Sequence, residues 1–180
     1  EQPAAFPLSE NFVSNEPEFA EIVRALRPEG GVYIGVGPEQ NFTYIAALQP
    51  ALAFIVDIRR ENRNLHLLYK ALFELSADRV DFVSRLFSRL RPAGLDAASG
   101  VDAMFEKFDT APSSPAMQAE TTEQVRRQLL VHHRFPLSRE DLEQIERALE
   151  VFRTDGPDID FWRGRQPESD APTYRQLMTA

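Results

Sequence analysis

Val32-Tyr33-Ile34-Gly35-Val36-Gly37-Pro38-Glu39-Gln40-Asn41 and, a short way downstream, Leu52-Ala53-Phe54-Ile55-Val56-Asp57 are the two stretches on which the fold turns. The first opens with a short apolar, β-branched run and closes on glycine and proline, which predicts a strand near 32–36 followed by a tight turn. Residues 42–48 carry a helical pattern. Pro50 then breaks the chain before the second run, whose unbroken apolar character predicts a strand near 52–57 buried on both faces, as strands of parallel sheets are. Strand, glycine turn, helix and strand make a βαβ unit. Asp57 ends the second strand about 20 residues after the turn, which sets the acid beside the glycines at one rim of the sheet.

Outward from this unit, residues 1–15 read as an extended leader. Asn15 with Glu16, Pro17 and Glu18 predicts a helix start that puts Phe19, Ile22, Val23 and Leu26 on one face, and Pro28-Glu29-Gly30-Gly31 stops it. Beyond Asp57, Leu65, Leu68, Tyr69, Leu72 and Phe73 recur at helical spacing. Ser76 is the expected cap of a further helix carrying Val80, Val83, Leu86, Phe87 and Leu90, and both helices are expected to pack on the sheet. Residues 91–119 hold Pro92, Gly94, Gly100, Pro112 and Pro115 around one short helical piece near 101–108. A helix around 123–133 follows, and Ser138 with Asp141 forms a capping-box start for 142–152. The expected organisation is a leader at 1–15, a nucleotide-binding half at 16–90, a loop or lid at 91–119, a helical segment at 120–153 and a loop-like tail at 154–180.

Composition bounds the functional classes. The chain has 180 residues, 28 acidic and 20 basic, a formal charge of −8, 43% hydrophobic residues and no cysteine. Disulfide frameworks, cysteine–zinc sites and thiol nucleophiles are excluded. The negative balance opposes phosphate backbones and anionic lipid, so neither nucleic acid nor a membrane is an expected partner. No apolar stretch is long enough to span a bilayer. The chain opens on Glu1-Gln2-Pro3-Ala4-Ala5 without an initiator Met, which leaves trimming and signal-peptide removal both open and the compartment of this soluble chain undetermined.

With its glycine turn after strand one and its acid at the end of strand two, the segment 31–60 resembles the class I S-adenosylmethionine-dependent methyltransferases. The resemblance implies an α/β, Rossmann-like, methyltransferase-type βαβ core, helix-rich, with S-adenosylmethionine as cofactor. It sets Gly35 and Gly37 against the methionine portion, Glu39 and Asn41 at the helix end of the turn, Asp57 on the ribose and Ile58 near the adenine. The family usually has an acid at the position of Tyr33 and a third glycine at that of Glu39, so Glu39 either holds the cofactor's ammonium or crowds its carboxylate. A dinucleotide fingerprint would need glycine at Gln40, and Glu39 would face pyrophosphate, so NAD ranks lower.

The remaining candidates have plainer readings. His132 and His133, adjacent on a helix, diverge by about 100° and do not face one small site. His66 reads as a structural histidine within an amphipathic helix. Asp155, Asp158 and Asp160 lack the spacing of a calcium loop and read as a solvated turn. Arg59, Arg60 and Arg63 form a basic cluster that could meet an acidic substrate, although Arg on an exposed helix face usually serves solvation and ion pairing.

Two strands do not complete such a sheet, so further residues after Ala180, or a second copy of the chain, are expected to supply the rest. The expected function is a methyltransferase-like protein with an unspecified methyl acceptor and no turnover from this segment alone. A non-catalytic interaction or scaffold module on a degenerate nucleotide-binding unit is the alternative.

Overall fold

The computed structural model describes residues 11–16, 19–163 and 170–179. Helix α1 (Phe19–Ala25) precedes β1 (Val32–Gly35), α2 (Gln40–Leu48), β2 (Leu52–Ile55), α3 (Arg60–Leu75) and α4 (Arg79–Leu86). Helices α5 (Val101–Thr110), α6 (Pro115–Arg127), α7 (Arg139–Asp155) and α8 (Tyr174–Thr179) follow. The result is a helix-rich α/β fold with a two-stranded sheet. Residues 1–10 of the leader, and Pro17 and Glu18 of the expected helix start, lie outside the described residues.

Strands β1 and β2 run parallel, with Val32 opposite Leu52 and Ile34 opposite Phe54. The Val56 N–H donates to the Gly35 carbonyl at 2.8 Å and carries the ladder one residue further. A parallel pair needs a crossover, and α2 provides it. Gly30 and Gly31, at φ +66° and +70°, turn the chain into β1 in a conformation that a side chain would strain.

The core lies beside the sheet rather than across it. Helix α3 packs against α4, α6 and α7, burying Leu65, Leu68, Tyr69 and Leu72 with Val80, Val83, Leu149 and Phe152. The expectation that the helices at 59–90 cover the sheet is therefore corrected: their apolar faces meet α6, α7, each other and Phe42 of α2. Helical periodicity marks a buried face without saying what buries it.

Two helix starts differ from the sequence reading. Ser76 donates its hydroxyl to the Leu72 carbonyl at 2.6 Å and closes α3, while Asp78 caps α4 by accepting the Asp81 N–H at 2.8 Å. Helix α6 begins earlier than expected, at Pro115, with Ser114 accepting the Met117 N–H at 3.2 Å. At α7 the Ser138–Asp141 capping box is complete.

Within 91–119, α5 sends Met104, Phe105 and Phe108 into the core. The tail is not wholly loop-like, because α8 buries Tyr174 and Leu177, and the Tyr174 ring meets Phe87, Phe105 and Phe152. So short a helix leaves almost no periodic signal. No helix among the described residues is long and apolar enough to cross a membrane.

Candidate functional site

The turn between β1 and α2 is built around one carbonyl. Gly37 sits at φ +81°, and its C=O accepts from Asn41 Nδ2 at 2.9 Å, Asn62 Nδ2 at 3.1 Å and His66 Nε2 at 2.9 Å. Asn41 Nδ2 also reaches the Val36 and Pro38 carbonyls at 3.0 and 2.8 Å, and its Oδ1 accepts from the Tyr33 hydroxyl at 2.8 Å. Asn41 thus stitches the turn from inside. A Cβ on Gly35 would collide with Asn41 Oδ1 and the Tyr33 ring, so glycine is demanded there by close approach.

A carbonyl only accepts, so His66 carries its proton on Nε2 and leaves Nδ1 bare. Burial holds the imidazole pKa below its ordinary 6.5, against the opposing effects of the Gly37 bond and Asp57. His66 Nδ1, Asn62 Oδ1 and Gln40 Oε1 are buried acceptors without a hydrogen-bond partner among the described residues.

Asp57 follows β2 at the same rim, where the nearby Gly37 N–H favours its charged form. Arg59 closes over both oxygens: its backbone N–H and Nε reach Oδ1 at 2.9 and 3.1 Å, and Nη2 reaches Oδ2 at 3.1 Å. Burial pulls the Asp57 pKa up, but the Arg59 bonds and the Gly37 N–H together outweigh it, and the group lies below 3.8. Ile58, next in sequence, is 97% exposed.

Glu39 turns the other way. It is 3% exposed, and its Oε1 and Oε2 accept the Ser14 N–H at 2.9 and 3.2 Å. That bond fastens a buried strap, Phe12, Val13 and Ser14, to the first turn of α2, with the Phe12 ring edge-on to Phe152 at 6.1 Å. Burial raises the Glu39 pKa to about 7, opposed by the Ser14 and its own N–H groups. The neighbouring Tyr69 hydroxyl is buried without a partner among the described residues, and its pKa is raised by burial and by Glu39.

The structure therefore brings Gly35, Gly37, Asn41 and Asp57 together and leaves Ile58 open beside them, while Glu39 is committed to the core. Tyr33 and Asn62 are supports of the turn that the sequence reading did not assign, and His66, read from the sequence as structural, is a third. Asn62 and His66 lie four apart on α3, a spacing that places polar side chains on one helix face and is the signal that was available.

The basic cluster is internal in its bonding. Arg60 makes two bonds of 2.7 Å to the Asp141 carboxylate, and Arg63 and Asn64 add bonds of 2.5 and 3.0 Å to Oδ1. These bonds hold the Asp141 carboxyl well below the ordinary carboxylate range, the Arg60 guanidinium contributing most. His133 bonds Glu74 at 2.6 Å, and His132 is exposed. Among the described residues no group of three or more metal-ligating side chains forms a site.

One surface is unlike the rest. Val32, Ile34 and Val36 from the first strand and Leu52, Phe54 and Val56 from the second point outward on the same face of the sheet, each at least half exposed.

A family model described as a domain of unknown function (DUF7790) matches residues 11–94. The match runs from the Phe12–Val13–Ser14 strap through both strands and the polar turn to the end of α4 and a little beyond. No curated protein matches the chain.

Proposed function

We propose that residues 16–90 are the cofactor-side half of an S-adenosylmethionine-binding unit of the methyltransferase type, its methyl acceptor unspecified. The observation that supports this reading is the meeting of the Gly37 turn and Asp57 at the carboxyl ends of adjacent parallel strands, the position where open α/β sheets bind ligands. Tested against the cofactor, the residues fit in part. Asp57 is the acceptor for the ribose hydroxyls, exchanging the Arg59 side chain for them. Ile58 offers the exposed apolar surface for the adenine, and Gly37 keeps the backbone close to the ligand. Gly35, Asn41 and Glu39 act from behind: Gly35 admits Tyr33 and Asn41, Asn41 fixes the turn, and Glu39 anchors it to the strap. When bound, S-adenosylmethionine supplies an electrophilic methyl group; the described residues orient its nucleoside end.

Calorimetric titration of the intact polypeptide with S-adenosylmethionine and S-adenosylhomocysteine tests the reading. Asp57→Ala is expected to weaken binding by about 1.5–3 kcal/mol, the loss of hydrogen bonds to a charged acceptor. Ile58→Ala, at a position almost wholly exposed among the described residues, is expected to weaken binding and leave the fold unchanged. Absence of heat from a folded protein would favour the second reading, a non-catalytic interaction module, which the outward apolar face of the sheet supports.

A further inference from the structure

The Asp57 carboxylate is already covered by a group that makes the kind of contact a ligand would make. Arg59 lays the Nε and Nη2 edge of its guanidinium along both oxygens, at 3.1 Å to Oδ1 and 3.1 Å to Oδ2. The Asp57 side chain is left 9% exposed and that of Arg59 22%. The two groups lose different things on separation. The guanidinium is the more exposed of the pair and rehydrates as it swings away. A ligand that takes its place also keeps water from the carboxylate, so it must bring a donor to each oxygen or leave a covered acceptor unmet.

The start of α3 does not need this side chain. Arg59 is the N-cap residue in extended backbone, φ −99° and ψ 126°, and its side chain makes no cap bond. What ties Asp57 to the helix start is the Arg59 backbone N–H, 2.9 Å from Oδ1, which any residue but proline supplies at this position. Arg60 and Arg63 differ in this respect, because their bonds to Asp141 join α3 to α7. The Arg59 fork is thus an addition to a turn that the backbone has closed.

Resting on the reading that Asp57 takes the ribose hydroxyls, we propose that Arg59 is an internal competitor for the rim: in the free protein its guanidinium holds the place of a vicinal diol, and a ribonucleoside enters by exchanging two hydroxyls for it. Two N–H donors leave and two O–H donors arrive, so the carboxylate stays ionised and no proton is transferred. A nucleoside with one hydroxyl at this position leaves a covered oxygen without a donor, so 2′-deoxyribose is rejected. Bonds to a charged acceptor also keep most molecules closed, and the measured dissociation constant is the intrinsic one divided by the open fraction. With about one molecule in ten open, affinity is reduced about tenfold.

The test compares the intact polypeptide with Arg59→Met, which keeps an apolar stem and removes the fork, and with Arg59→Lys, which keeps the charge alone. Calorimetric titration with S-adenosylhomocysteine is expected to show binding about tenfold tighter in Arg59→Met and a smaller gain in Arg59→Lys. An NMR titration of the side-chain carboxyls is expected to show the Asp57 pKa rising toward its ordinary 3.8 in Arg59→Met. Amide spectra of the parent are expected to shift with adenosine at concentrations where 2′-deoxyadenosine has no effect. Equal or weaker binding by Arg59→Met would make the fork a structural tie and overturn the proposal, while leaving the cofactor reading in place. An Asp57 pKa that does not respond to Arg59→Met, or equal shifts with the two nucleosides, would overturn it as well. No binding of S-adenosylhomocysteine by the parent or by either variant would overturn the cofactor reading and the proposal together.

Discussion

Replacing Glu39 with glutamine tests whether the strap and the polar turn are coupled through a buried carboxyl. The free carboxyl has an ordinary pKa of 4.5 and the folded one titrates at about 7. Below pH 4.5 both states are protonated and no cost arises. Between pH 4.5 and 7 the folded chain keeps a proton that the unfolded chain has released, so stability falls as pH rises. Above pH 7 the full cost of burying the carboxylate is present, about 3 kcal/mol at 1.36 kcal/mol per unit. Glutamine keeps an acceptor for the Ser14 N–H but loses the charge assistance, worth about 1 kcal/mol. Glu39→Gln is therefore expected to stabilise the protein by about 1–3 kcal/mol at pH 8 and to leave it nearly unchanged at pH 5. His66 works oppositely: its depressed pKa gives stability that is present above 6.5 and is lost as pH falls. It is common to both proteins and cancels in the difference. Urea unfolding at pH 5, 6, 7 and 8 measures that difference. A variant with the parent's pH dependence, or one less stable than the parent at pH 8, would show that the buried Glu39 carboxyl carries no such cost.

Gly35→Ala forces a methyl into the space held by Asn41 and Tyr33 and is expected to cost about 1–3 kcal/mol in chemical denaturation; partial relief by Tyr33→Ala in the same chain identifies the clash. Asp141→Ala removes both the capping box of α7 and the acceptor shared by Arg60, Arg63 and Asn64, and is expected to lower stability by about 2–3 kcal/mol. The guanidinium groups are half exposed and rehydrate, which keeps this loss below that of a wholly buried pair.

The elements legible in the sequence are those with a local cause. Gly35, Gly37 and the apolar runs locate β1, α2 and β2 because turn chemistry and period act within a few residues, and Ser138 with Asp141 marks α7 for the same reason. What was not legible depends on distant partners. The unbroken apolar character of residues 52–56 implies burial on both faces, yet Leu52, Phe54 and Val56 face outward among the described residues. Arg60 and Arg63 resemble a solvated stripe because Asp141 lies 81 and 78 positions away. Glu39, quoted at the turn as a ligand contact, is drawn inward by Ser14, 25 positions earlier. Ser76 and Asp78 compete for one helix start, and only the backbone decides between them.

On the proposed function, the rim formed by the Gly37 turn and Asp57 receives a nucleoside-type cofactor. Amide NMR spectra of the intact, isotope-labelled polypeptide, recorded with increasing S-adenosylhomocysteine, test it directly. Saturable shifts centred on Gly37, Asp57, Ile58 and Arg59, lost in Asp57→Ala, are expected. Spectra that do not move, or shifts centred on residues remote from this rim, would contradict it.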